Sequence, residues 1–403
     1  MARTPGCTLG LLAALVVLAL LGPTAGLAAT TFPWQIETAD AGPGVGSHSS
    51  LALDAAGQPH ISYYDAANDA LKYAHRADAV WLVHTVDAGG VGRVSSLALD
   101  SLGQPHIGYS DDANSLVKYA RLAGVVWQIE TVDPLTLAGP DVSLALDAAG
   151  QPHISYHDML EDNLRHAWRQ GSQWALQTVD AAGWVGEGSS LAIDPLGQVH
   201  ISYYDASRLT LKYARYDGAS WQMETVDQTG WVGERSSLAV DGVGRPHISY
   251  TDSASGSLKV ASYNGASWLV QTVDATGWVG ENTSLALNPH GHPYISYFDG
   301  ERASLKLAWH DGLAWRMETV DDSGWAGETS SLALDAAGRP HISYADGLGE
   351  RLQYARTDAD APTPTATATP TDATPPPPTA TATAPGLTWR GLLPLILRGQ
   401  QAG

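Results

Sequence analysis

The chain has 403 residues and a single cysteine, with 42 acidic against 22 basic residues for a net charge of -20. Such a surface repels phosphate backbones and anionic lipid, which argues against nucleic acid as a partner. A lone cysteine excludes a disulfide framework.

Residues 1–29 read as a secretory signal. Arg3 precedes an apolar run over 9–21, and Gly26 and Ala28 fit a signal-peptidase site. The run is too short for a membrane span. Cys7 lies ahead of it and leaves with the signal, so the exported chain relies on its core alone.

Residues 30–358 repeat. Trp34, Trp81, Trp127, Trp174, Trp221, Trp268 and Trp315 follow one another at steps of 47, 46, 47, 47, 47 and 47 residues. Tyr63, Tyr109, Tyr156, Tyr203, Tyr250, Tyr297 and Tyr344 keep the same step, as do seven aspartates two positions later. A fixed period in the forties marks a repeat architecture. Each unit predicts four short strands, for example 236–241 (SSLAVD), 245–252 (RPHISYTD), 258–264 (LKVASYN) and 268–274 (WLVQTVD), rich in Val, Ile, Leu, Thr and Tyr. A D-x-x-G turn (Asp241 to Gly244) joins the first two strands, and Asn-Gly or Asp-Gly (Asn264 and Gly265; Asp217 and Gly218; Asp311 and Gly312) joins the last two. Four-stranded units of this length are propeller blades. The chain enters on a fourth strand (34–40) and leaves on a third (352–358), so the first segment can complete the last blade and close the ring. The expectation is an all-β, seven-bladed β-propeller with four antiparallel strands per blade.

Residues 359–386 change to Pro, Thr and Ala, an extended stalk that cannot form a core. Residues 387–403 hold a short apolar stretch, LLPLIL, far below span length. Together these segments predict a secreted or cell-surface protein.

The D-G-x-x-W hairpins (Asp217, Gly218 and Trp221; Asp311, Gly312 and Trp315) look like degenerate Asp-boxes. The unit resembles the BNR or sialidase-like repeats of secreted bacterial propellers over 34–358, a group that includes sialidases and lectins. The serine that opens a full Asp-box is missing, and units two and four lack the Asp-Gly pair. The resemblance therefore implies the fold more than any activity.

Strand direction places both hairpin types on one face. The blade-to-blade loops and the variable second-to-third-strand loops fall on the other, where binding is expected. There, Gly-Trp-(Val/Ala)-Gly-Glu recurs in four consecutive units: Trp184 with Glu187, Trp231 with Glu234, Trp278 with Glu281 and Trp325 with Glu328. Indole faces stack on sugar rings and a carboxylate accepts hydroxyl hydrogen bonds, so an arc of four loops suits a multivalent glycan or cell-surface polymer. The competing reading wedges each Trp between blades, giving a structural or protein-binding display propeller, and burial of the four indoles separates the two.

The repeated His60, His106, His153, His200, His247 and His341 stand about 10 Å apart from blade to blade, too far to share a metal, and are expected to brace the turns. The ring Asp65, Asp111, Asp158, Asp205, Asp252, Asp299 and Asp346 is expected to cap its own loops. No cofactor is implied, although each Asp with the neighbouring T-V-D aspartate could hold a calcium ion. A sialidase-like hydrolase needs an asymmetric site, and the sequence offers only the odd carboxylates Glu161, Asp162 and Glu301 and the scattered arginines Arg93, Arg235 and Arg302. Catalysis is thus the lesser expectation.

Overall fold

The computed structural model describes residues 32–347 and 351–358. The segments expected to be a signal (1–29), a stalk (359–386) and a tail (387–403) lie outside the described residues.

The strands form seven antiparallel four-stranded sheets, arranged as the blades of a seven-bladed β-propeller. First strands touch first strands around the whole ring, so blades 1 to 6 run from the axis outward in chain order. Blades 1 to 6 span 45–88, 91–133, 138–180, 185–227, 237–274 and 279–321. Blade 7 takes Ser330–Leu334, Pro340–Asp346 and Arg351–Arg356 from the end of the chain and Gln35–Asp40 from its start. The expected closure is therefore present, with Gln35 paired to Arg356 and Asp40 to Leu352.

Burial explains the strand sequences. Second strands are sandwiched between neighbouring blades, and Pro59–Asp65 is buried at every position. Such a strand needs an unbroken apolar, Ser and Tyr run rather than alternation. The outermost Val80–Ala88 is mostly exposed. Proline opens six of the seven second strands, where its missing N–H costs no ladder bond. At the D-x-x-G turn, the Asp54 carboxylate accepts the N–H groups of Ala56 and Gln58, and Gly57 sits at φ +74°.

Each seam between blades repeats the same bonds. The hydroxyl of a first-strand serine accepts the N–H of a leucine in the next blade, from Ser50 to Leu97 round to Ser331 and Leu51, at 2.9–3.0 Å. A second-strand tyrosine donates to the T-V-D aspartate of the preceding blade, as Tyr203 does to Asp180 and Tyr297 to Asp274, both at 2.7 Å. Each regular tryptophan packs at the outer rim. Trp81, Trp127, Trp174 and Trp268 stand edge-on to a tyrosine of the preceding blade (Tyr354, Tyr73, Tyr119 and Tyr213) at 5.2–5.4 Å. The regular part of the repeat is scaffold.

The histidines brace the structure as expected. Nδ1 of His60, His106, His200 and His341 meets the hydroxyl of a third-strand tyrosine, and Nε2 faces the turn aspartate at 3.5–3.9 Å. The aspartate ring caps its loops: Asp65, Asp111, Asp158, Asp205, Asp252 and Asp299 each accept a backbone N–H two or three residues on.

Candidate functional site on the loop face

In the Gly-Trp-x-Gly-Glu loops, two residues serve packing and the tryptophan faces outward. The residue after tryptophan (Val185, Val232, Val279 or Ala326) is fully buried. The second glycine lies against the third strand of the preceding blade; a Cβ on Gly186 would come within 2.8 Å of Leu164 Cα. The tryptophans are thereby lifted into solvent. Trp184, Trp231, Trp278 and Trp325 are 50, 48, 62 and 49 % exposed. They are not the wedges between blades; the regular rim tryptophans fill that role.

The four loops are not alike. Trp184 and Trp231 donate their indole N–H to Glu187 and Glu234, at 3.1 and 3.2 Å. Trp325 stacks on Phe298 with ring centres 5.9 Å apart. Trp278 is the most exposed. The backbone alternates as well: Trp231 and Trp325 have positive φ, whereas in blades 4 and 6 that conformation falls on Gly188 and Asn282. A common pentapeptide thus takes two shapes around the ring.

At the axis the structure assembles residues that lie scattered along the sequence. One residue per blade, the one before the constant (Ser/Thr/Val)-Ser-Leu-Ala, faces a central pocket of about 430 Å³. In blade order these are His48, Val94, Asp141, Gly188, Arg235, Asn282 and Thr329, all different. Arg93 also lines the pocket, at the place the glutamates hold in blades 4 to 7. Arg93 and Arg235 are therefore brought together, a correction to their expected separation. Arg302 is engaged elsewhere, 2.9 Å from Asp299.

Hydrogen bonds set this ring. Arg235 Nη1 donates to Asn282 Oδ1 at 2.7 Å, and Asn282 Nδ2 to the Glu328 carbonyl at 2.8 Å. The Gly188 N–H donates to Asp141 at 3.0 Å, and the His48 N–H to Thr329 at 2.9 Å. Burial, and then the nearby Arg235, hold the His48 imidazole below its ordinary pKa, and its Nδ1 has no hydrogen-bond partner. Burial, and then the Asp141 charge, raise Glu187. The result is an asymmetric polar pocket with two arginines, one carboxylate and a histidine.

Glu161, Asp162 and Glu301 are exposed loop residues. At four of the aspartate pairs a lysine ammonium stands between the two carboxylates. Lys72 Nζ lies 2.8 Å from Asp40 and 3.5 Å from Asp65, and Lys118, Lys259 and Lys306 bridge the equivalent pairs. Among the described residues, no three His, Cys, Asp or Glu side chains are grouped to hold a metal ion. No described helix is long and apolar enough to cross a membrane.

No protein-family model and no curated protein matches the sequence. Several solved structures resemble the chain. An ulvan lyase of a polysaccharide lyase family superposes with a TM-score of 0.58 at 12 % identity, covering 79 % of this chain and 95 % of that one. The Aleuria aurantia lectin in complex with Fucα1-6GlcNAc gives 0.49 at 13 % identity, over 71 % of this chain and 99 % of that one. A Hadza microbial sialidase gives 0.46 at 13 % identity, over 74 % and 73 %. At 12 % identity the likeness to the lyase is one of fold.

Proposed function

We propose that the protein is an exported, surface-associated propeller of the sialidase-like repeat group that binds a glycan on its loop face without cleaving it. The observation that carries this reading is the arc of four half-exposed indoles, Trp184, Trp231, Trp278 and Trp325, on one side of the axial pocket. Exposed indole in water is costly unless it meets a partner, and sugar rings offer flat C–H faces to it. Glu187, Glu234, Glu281 and Glu328 supply hydroxyl acceptors beside the indoles. Arg93 and Arg235 favour a sugar bearing a carboxylate or sulfate at the axis. Export and surface retention rest on the sequence of residues 1–29 and 359–403.

A glycan array probed with the exported chain tests the reading. Binding should fall on Trp→Ala change at any of the four positions, with the melting temperature kept. A chain that binds no glycan, or binds equally with all four indoles removed, rejects it. Turnover of chromogenic glycosides or of a polyuronate would overturn the non-catalytic part alone.

A further inference from the structure

Tryptophan occupies one third-strand position in only two blades, as Trp168 in blade 3 and Trp309 in blade 6. Around Trp309 the groove toward the next blade is filled by the chain itself. Phe32 lies against the indole with ring centres 5.1 Å apart, and its backbone N–H donates to the Glu318 carboxylate at 3.1 Å. Trp309 is left 4 % exposed. Phe32 reaches this place because blade 7 takes its fourth strand from the start of the chain, so the entering segment stands where other blades carry a short hairpin. Counted back from Trp34 and Trp221, the residue matching Phe32 at the blade 3/4 seam is Ala219.

That seam consequently keeps an open groove of about 460 Å³, within the ~300–1,000 Å³ range of ligand pockets. Trp168, only partly buried, stacks on His166 at 5.2 Å and 13°. Gln177 stands in the position of Glu318, and Leu196 projects at the rim, 84 % exposed. His166 is buried and its Nδ1 has no hydrogen-bond partner.

We propose that this groove docks an aromatic side chain of a peptide partner, seated as Phe32 is seated beside Trp309. The molecule supplies its own precedent, because the same scaffold position with the same indole is closed by a phenylalanine in one seam and open in the other. The site lies toward the hairpin side and is independent of glycan binding on the loop face.

The test titrates the full chain with acetyl-Thr-Phe-Pro-amide carrying 4-fluorophenylalanine, copying residues 31–33, and follows the fluorine resonance. Saturable binding is expected, weakened at least tenfold by Trp168→Arg, the residue native to this position in blades 2 and 4. Gln177→Glu, which supplies the carboxylate acceptor found at Glu318, should tighten it several-fold. Leu196→Glu, at an exposed turn that leaves packing untouched, should weaken it. The proposal is overturned by equal binding to the Trp168→Arg and Leu196→Glu chains, by no saturable binding, or by Trp168-dependent binding of cellotriose without the peptide.

Discussion

Gly108 and Val142 stand where the other six seams carry a pair of hydroxyls. Ser62 meets Ser95 at 2.8 Å, and Ser49–Ser343, Ser155–Ser189, Ser202–Ser236, Ser249–Thr283 and Ser296–Ser330 repeat the contact. Both partners change together in the remaining seam, because a Cβ on Gly108 would come within 3.2 Å of Val142 Cγ1. Gly108→Ser alone should cost about 1–3 kcal/mol, the price of a buried hydroxyl without a partner plus crowding. Gly108→Ser with Val142→Ser should recover most of that, and a double-mutant cycle in urea that finds simple additivity would refute the pairing. Burial, opposed in part by the nearby turn aspartates, lowers His60 and His341 to about 4. Below the ordinary value of 6.5 the unfolded chain takes up protons that the folded chain refuses. The stability contribution is whole above pH 6.5 and falls by up to about 1.4 kcal/mol per pH unit per histidine down to pH ~4. Asp274 follows with the same sign: burial opposes its charge, but bonds from Lys306, Tyr297 and Thr276 lower it to about 2, so its contribution is lost only below the ordinary carboxylate range. The urea midpoint should therefore drop between pH 7 and pH 5, and a flat profile would count against neutral buried histidines.

Among the elements, the loop-face turns show how one motif can hide two geometries. Gly188 sits at φ +56° with the Glu234 carbonyl 2.1 Å from where a Cβ would stand, whereas Gly57 at φ +74° faces open space. Gly57→Ala should cost about 1 kcal/mol, from backbone strain alone. Gly188→Ala should cost about 1–3 kcal/mol more, because the carbonyl of the next blade must move. Thermal melts of the two variants compare them directly; equal shifts would mean that the seam at Glu234 yields freely. Strands and tight turns were legible because D-x-x-G, Asp-Gly and the apolar runs recur in phase. The exposure of Trp184 and its three counterparts was not legible. It depends on Gly186 and the buried Val185 pressing the loop onto a neighbouring strand, which no local pattern records. The shift of positive φ from Trp231 and Trp325 to Gly188 and Asn282 was equally hidden, since the pentapeptides are nearly identical.

At the level of the whole molecule, the sevenfold phase announces a closed ring, and closure creates what the linear reading missed. The column His48, Val94, Asp141, Gly188, Arg235, Asn282 and Thr329 is visible as one varying position beside constant neighbours, but it becomes a pocket only once seven first strands meet at an axis. Arg93 and Arg235 lie three blades apart in the chain and share that pocket for the same reason. Closure itself can be tested by removing residues 32–40, which leaves Arg351–Arg356 as a bare edge and uncovers Trp309. That chain should melt lower and self-associate on gel filtration; an unchanged monomer would show that the seventh blade tolerates three strands. The stitched blade also has a mechanical meaning. Because Gln35–Asp40 covers it, the last strand of the propeller is an interior strand, paired to Pro340–Asp346 on one side and to the chain's beginning on the other. Tension applied beyond residue 358, as in a protein tethered by its end, must break two hydrogen-bonded ladders together instead of peeling one from an edge.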